Sequence, residues 1–212
     1  MTTLVQTPVG DARLTCVSVL GPHRATLVLG HGAGGGIEAA DLQALAAALP
    51  AHGVEVVLVE QPWRVAGKRI APAPKTLDVA WRAVLEHLRE RRDAPVASPL
   101  IVGGRSAGAR VACRTGASTG AAAVLALAFP LHPPGKPEKT RADELTATGL
   151  RTLIIQGATD PFGSGAEFPP LPDTHRLVAL PAGNHEFVVR KDQSPVLDAI
   201  VDTTVAWINT LF

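Results

Sequence analysis

Residues 100–110 read Leu-Ile-Val-Gly-Gly-Arg-Ser-Ala-Gly-Ala-Arg, and this stretch restricts the fold more tightly than any other. The apolar run Leu100–Val102 predicts a buried strand, and the residues after Ser106 suit a helix. Between them Gly104, Ser106 and Gly108 form G-x-S-x-G. In that setting the pattern predicts a nucleophile elbow. A strand ends, the chain turns sharply and a helix begins, leaving the serine hydroxyl exposed on strained backbone. The glycines have a steric reason, because strand and helix run so close that a side chain two residues either side of the serine would collide. The pattern alone is weak evidence, so its surroundings must decide.

Three further segments supply those surroundings. Residues 25–36, Ala-Thr-Leu-Val-Leu-Gly-His-Gly-Ala-Gly-Gly-Gly, read as a strand running into a glycine-rich loop. Residues 151–163 read as a strand delivering Asp160, and residues 176–187 as a strand delivering His185. Ser106, Asp160 and His185 therefore stand in that order, each just past a predicted strand. In a parallel sheet those ends share one edge, where open α/β folds place their sites. Ser106 is then the candidate nucleophile, although a serine opening a helix is often only a cap. His185 is the candidate base, and Asp160 the group that fixes its tautomer, against the plainer reading of an Asp-Pro turn. His132 is the rival base, since it also follows a strand end. His31, inside the glycine-rich loop, reads as a residue that shapes the loop.

The same chemistry needs two backbone N–H groups converging on developing negative charge. One is expected from Ala107, immediately after the serine, and the other from the glycine-rich loop, at Ala33 with Gly34 next. A phosphate-binding loop is the competing reading, but no Lys-Ser/Thr follows and no acidic residue stands at dinucleotide spacing. Trp63, Lys68 and Arg69 follow a strand and are expected near the mouth; Trp63, Arg69 and His132 are candidate substrate contacts. No His, Cys and carboxylate set has metal-ligand spacing, so neither metal nor cofactor is expected.

The rest of the chain predicts alternating elements. Leu4–Pro8 and Ala12–Leu20 suggest a hairpin around Val9-Gly10-Asp11. Glu38–His52 and Thr76–Arg92 have helical spacing, the latter with a stripe of Leu77, Ala80, Trp81, Val84, Leu85 and Leu88. Strands are expected at Ala25–Gly30, Val54–Val59, Pro99–Val102, Ala121–Phe129, Thr152–Ile155 and Leu177–Leu180, with helices at Ser106–Thr115 and Val196–Leu211. This alternation predicts an α/β architecture: a mostly parallel sheet of about seven or eight strands with helices on both faces, in one domain over residues 1–212. Roughly twenty residues separate the strand ending near Phe129 from the next, too few for a substantial lid.

Composition agrees with a well-cored globular chain, at 46% hydrophobic and 18% charged residues. The net charge of +1 gives no reason to expect a nucleic acid or membrane partner. Two cysteines and no visible leader point to a cytoplasmic chain. The serine–histidine–aspartate reading makes a small acyl compound the expected partner, with monomer and homodimer both open.

On these residues the chain resembles the α/β-hydrolases over nearly its whole length, and within them the small, lidless, dienelactone-hydrolase-like members. It departs from dienelactone hydrolase itself in having serine, not cysteine, at position 106. It is also similar to a branch carrying Gly-Gly-Arg-Ser-Ala-Gly-Ala-Arg (103–110) with Pro-Leu-His-Pro-Pro-Gly-Lys-Pro (130–137). The resemblance implies the fold and the roles of Ser106, Asp160 and His185, but no substrate. The expected activity is hydrolysis of a small ester or thioester through an acyl-enzyme. The alternatives are a peptidase or acyltransferase with the same three residues, and a non-catalytic interaction module.

Overall fold

Strand β3 (Ala25–Gly30) is buried at every position, and its side chains alternate between two separate cores. Val28 faces one, while Leu27 and Leu29 face the other. The same alternation runs through β4 (Val54–Glu60), β5 (Leu100–Arg105) and β6 (Ala123–Leu127). Continuous apolar runs of this kind are what a sheet covered on both faces requires. The computed structural model describes residues 1–90 and 99–212.

The remaining strands are β1 (Thr2–Thr7), β2 (Gly10–Val17), β7 (Arg151–Gln156) and β8 (His175–Ala179). All eight form one sheet in the order β1-β2-β4-β3-β5-β6-β7-β8. The β1–β2 hairpin is antiparallel and adds antiparallel to β4; every other pairing is parallel. The helices are α1 (Ala40–Ala48), α2 (Pro62–Val65), α3 (Pro74–Glu90), α4 (Ala107–Thr115), α5 (Ala142–Thr146) and α6 (Leu197–Ile208). Helices α3 and α4 cover one face, where Leu77, Trp81, Val84, Leu85 and Leu88 of α3 join the first core. Helices α1 and α6 cover the other, through residues such as Leu42, Leu45, Ile200 and Trp207. From β3 the chain crosses to β4 on one side and later to β5 on the other. That reversal opens a crevice at the carboxyl ends of β3 and β5.

The predicted α/β architecture is the one observed, and the departures lie at element ends. The helix expected over 38–52 stops at Ala48, and a tighter turn, Leu49–His52, carries Pro50 and ends on the left-handed Gly53. The sixth strand ends at Leu127 rather than Phe129, because Ala128 turns to a positive φ of 44°. The last strand starts and ends earlier than expected, at His175 and Ala179. Arg91 and Arg92, the expected end of α3, lie outside the described residues. Between β6 and β7 the only helix is α5, five residues long, so no lid covers the crevice from there. Among the described residues no helix is long and apolar enough to cross a membrane.

Candidate active site

The elbow is held by three glycines. A Cβ on Gly104 or on Gly108 would collide with the carbonyl oxygen of Gly30, at the end of β3. With neither present, α4 starts directly against β3, and Ser106 occupies φ 52°, ψ −114°, a conformation L-residues rarely adopt. Its N–H donates to the Leu127 carbonyl at 3.0 Å, tying the turn to the end of β6.

Ser106, His185 and Asp160, which the sequence places up to 79 residues apart, meet in one hydrogen-bonded series. His185 Nε2 lies 2.8 Å from Ser106 Oγ, and His185 Nδ1 lies 2.8 Å from Asp160 Oδ2. The carboxylate can only accept from Nδ1–H, which leaves the Nε2 lone pair facing the hydroxyl. Asp160 is buried and heavily bonded. Gln156 Nε2, at the end of β7, donates to Oδ2 at 2.8 Å, and the Phe162 N–H donates to Oδ1 at 2.8 Å. The Phe162 ring lies against the imidazole of His185, with centroids 4.2 Å apart.

The loop carrying His185 is fixed from both sides. Asn184 Oδ1 accepts from the N–H groups of Glu186 and Val188, at 2.9 and 3.0 Å. From below, Arg105 Nη2 donates to the His185 carbonyl at 2.6 Å. Arg105 directly precedes the serine, and its side chain is buried. Its Nε pairs with Asp41 Oδ2 at 3.2 Å, and Asp41 is buried in the first turn of α1. Burial pushes the Asp41 carboxyl upward, and the Arg105 charge opposes that shift. One guanidinium thus links the elbow, the histidine loop and the helix following the glycine-rich loop. Arg105, Asp41, Gln156 and Phe162 were not singled out by the sequence.

On the other side of Ser106 lies the glycine-rich loop. A Cβ on Gly32 would sit 3.3 Å from Ser106 Cβ, so the loop passes close beside the hydroxyl. Ala33 and Ala107 line one crevice, and among the described residues neither N–H donates to a protein acceptor. Gly34 sits further out, in open space. His31 holds the loop's base. Its Nδ1–H donates to the Gly32 carbonyl at 2.8 Å, and Nε2 accepts from the Gln61 N–H at 3.1 Å.

The candidate contacts divide. Trp63 is not an open mouth residue: it is 6% exposed, with its ring 5.6 Å from that of His31. Lys68 and Arg69 are exposed on the loop that follows. His132 is buried with both nitrogens engaged away from the serine, on the Pro133 carbonyl at 2.9 Å and Glu167 Oε2 at 3.1 Å. It fastens the 130–137 segment to the loop beyond Asp160. Cys113 is buried on α4, and desolvation pushes its thiol pKa up. Among the described residues no group of His, Cys, Asp and Glu could hold a metal ion.

The two buried histidines act on stability with opposite signs. Burial lowers the pKa of His31 below its ordinary 6.5. The unfolded chain therefore takes up a proton that the folded chain refuses, and stability falls as pH drops below about 6.5 toward the folded value. His132 is shifted upward, chiefly by donating to the Pro133 carbonyl and then to Glu167. Its contribution is complete below about 6.5 and is lost as pH rises through the folded value. Urea unfolding between pH 7 and 5 is expected to show the midpoint of His31→Gln gaining on that of the wild type as the pH falls, because the variant lacks the His31 contribution while keeping that of His132. Equal slopes would remove His31 as the source.

An alpha/beta hydrolase domain family model matches residues 23–211. No curated protein matches the chain. Among solved structures, an alpha-beta serine hydrolase homologue from Coxiella burnetii aligns with a TM-score of 0.72 at 16% identity, covering 100% of this chain and 97% of that one. XC6422 from Xanthomonas campestris, described as an a/b serine hydrolase without lid, aligns at 0.70 with 20% identity, covering 98% and 94%. Dienelactone hydrolase from Anabaena variabilis aligns at 0.75 with 17% identity, covering 99% and 96%. At such identities the structural likeness concerns the fold alone, while the family match spans most of the sequence. The chain belongs to the alpha/beta hydrolase domain family.

Proposed function

We propose that this chain is a serine hydrolase that cleaves a small ester or thioester through an acyl-enzyme. The observation that carries the reading is the pair of 2.8 Å contacts from His185, one to Ser106 Oγ and one to Asp160 Oδ2. Ser106 Oγ attacks the carbonyl carbon while its proton passes to His185 Nε2. The carbonyl oxygen becomes an oxyanion, which the N–H groups of Ala107 and Ala33 receive. Collapse of the tetrahedral adduct breaks the bond to the alkoxide or thiolate, and that group leaves with the proton from Nε2. Water then attacks the acyl-enzyme, His185 takes its proton, and the carboxylic acid departs with Ser106 restored. Throughout, Asp160 stays ionised and stabilises the imidazolium. An interaction module would have no use for a strained serine aimed at a histidine.

A fluorophosphonate probe followed by peptide mapping tests the assignment, together with p-nitrophenyl esters of graded acyl length. A single modified residue, Ser106, and turnover of the short esters are expected. With no lid to open, activity should not jump above the substrate's micellar threshold. Labelling at another serine, or no turnover of any ester or thioester, would sink the reading.

A further inference from the structure

Two cavities open on either side of the serine's turn. One, of about 290 Å³, lies between the glycine-rich loop and the histidine loop; Glu38, Asp41, Arg105 and Glu186 give it a charged lining. The other begins as the crevice at Ala33 and Ala107 and runs inward to Trp63, Ala71 and Leu77. That crevice holds only about 10 Å³, room for a water-sized group. Beyond it, between the β1–β2 turn and α2, lies a cavity of about 310 Å³ with Val9, Pro62, Val65, Ile70 and Pro72 in its walls and Asp11, Lys68 and Thr76 among its polar residues. This volume lies within the range of small-molecule sites.

Crevice and cavity share two lining residues, Gln61 and Trp63. Trp63 therefore borders both. The loop after α2 contributes to both sides, with Ala71 in the crevice and Ile70 and Pro72 in the cavity. Ile70 is 84% exposed, a large apolar side chain on a short loop at the cavity's rim. Gln61 adds a second observation. It is 5% exposed, its Nε2 donates toward the Leu77 carbonyl, and its buried Oε1 has no hydrogen-bond partner among the described residues. A buried acceptor without a donor is costly and is a natural partner for a ligand N–H or O–H.

We propose that Trp63 is the specificity gate of the site and that the cavity behind it is an acyl-chain subsite. The proposal rests on the hydrolase reading above. The oxyanion fills the water-sized crevice at the Ala33 and Ala107 N–H groups, the acyl group lies at its mouth, and the leaving group points toward the cavity between the glycine-rich and histidine loops. With the indole in place, the chain cannot pass inward beyond that mouth, and short acyl groups are preferred. With the indole displaced or removed, crevice and cavity join. A longer acyl chain then fits, best one whose hydroxyl or amide N–H reaches Gln61 Oε1.

The test compares kcat/KM on p-nitrophenyl esters from acetyl to dodecanoyl in the wild type and in Trp63→Phe, Trp63→Leu and Trp63→Ala. The readout is the octanoyl-to-butanoyl ratio within each protein, so any overall loss of activity cancels. Each methylene newly buried is worth about fourfold. The ratio is expected to climb through the series and to exceed the wild-type value at least about tenfold in Trp63→Ala. Adding Ala66→Phe, which fills the far cavity from α2's end, should bring the ratio back down. Circular dichroism and fluorophosphonate labelling identify the folded members. An unchanged ratio in folded variants, a wild type that already prefers octanoyl, or a gain that Ala66→Phe leaves intact overturns the gate and leaves the hydrolase reading standing. A wild type that turns over no ester removes the hydrolase reading itself.

Discussion

Ser106→Ala, His185→Ala and Asp160→Asn each lose ester turnover by about three to five orders of magnitude, and their combinations lose little more than the worst single change. The non-additivity follows from the geometry. His185 can accept a proton only while Asp160 fixes the Nδ1–H tautomer, and the accepted proton is the one on Ser106 Oγ. Once one member is gone, the others have nothing left to do. The residual rate then comes from the oxyanion donors and from substrate binding, which none of the three changes touches. Steady-state kinetics on a short activated ester, with kcat and KM separated, measures this. Losses that multiply across the double variants would dissolve the unit. His132→Ala is the control: with both ring nitrogens bonded elsewhere, it should leave the chemical step nearly intact.

Arg105→Ala should produce the second large effect, on the reaction and on stability together. The substitution leaves Asp41 as a buried carboxylate without its partner, a change that costs about 3–5 kcal/mol in comparable buried pairs. It also frees the His185 carbonyl, so the loop carrying the imidazole loses one of its two supports. The double variant Arg105→Met/Asp41→Leu separates the consequences. An apolar pair of similar volume restores stability, because a buried ion pair is seldom better than good packing. It cannot restore the bond to the His185 carbonyl. The double variant is therefore expected to unfold near the wild-type urea midpoint while kcat, read at saturating ester, remains at least about tenfold down, since a misaligned base costs turnover. Wild-type kcat in a stably folded double variant would show that Arg105 serves the fold alone.

What the sequence disclosed depended on the range over which each residue acts. The strands ending at Gly30, Arg105, Gln156 and Ala179 are runs of apolar residues, and such runs are visible within a few positions. Ser106, Asp160 and His185 follow three of these strands, so their meeting on one edge could be read from strand ends alone. Arg105 could not be read in the same way. A charged residue inside a turn motif defaults to solvent, and its partners Asp41 and His185 stand 64 and 80 positions away. Asp41, in the first turn of a helix, has in its local sequence only the signature of a favourable charge at a helix start. Gln156 looked like the polar end of a strand, yet it holds Asp160. Trp63 was placed near the mouth because it follows a strand, but helix α2 turns its ring inward onto His31. Four residues, Pro62–Val65, are too few to show helical periodicity.

The position of each site residue in the sheet order sets how the site comes apart. Ser106 follows β5, and the glycine-rich loop follows β3; these are the two middle strands of the eight. His185 follows β8, which forms the opposite rim of the sheet from β1, pairs with a single neighbour, and has no fully buried residue. Local opening starts where a strand has one partner and little buried surface, and reaches a sheet's centre only with global unfolding. Ser106 and the glycine-rich loop are thus anchored at the centre of the sheet, while His185 hangs from the rim strand and is tied back to the centre through Arg105. Fraying of β8 is expected to load that one tie. Should it give way first, the serine would still be held in its turn with no imidazole beside it, and on the proposed mechanism ester turnover is expected to be lost before the global unfolding signal.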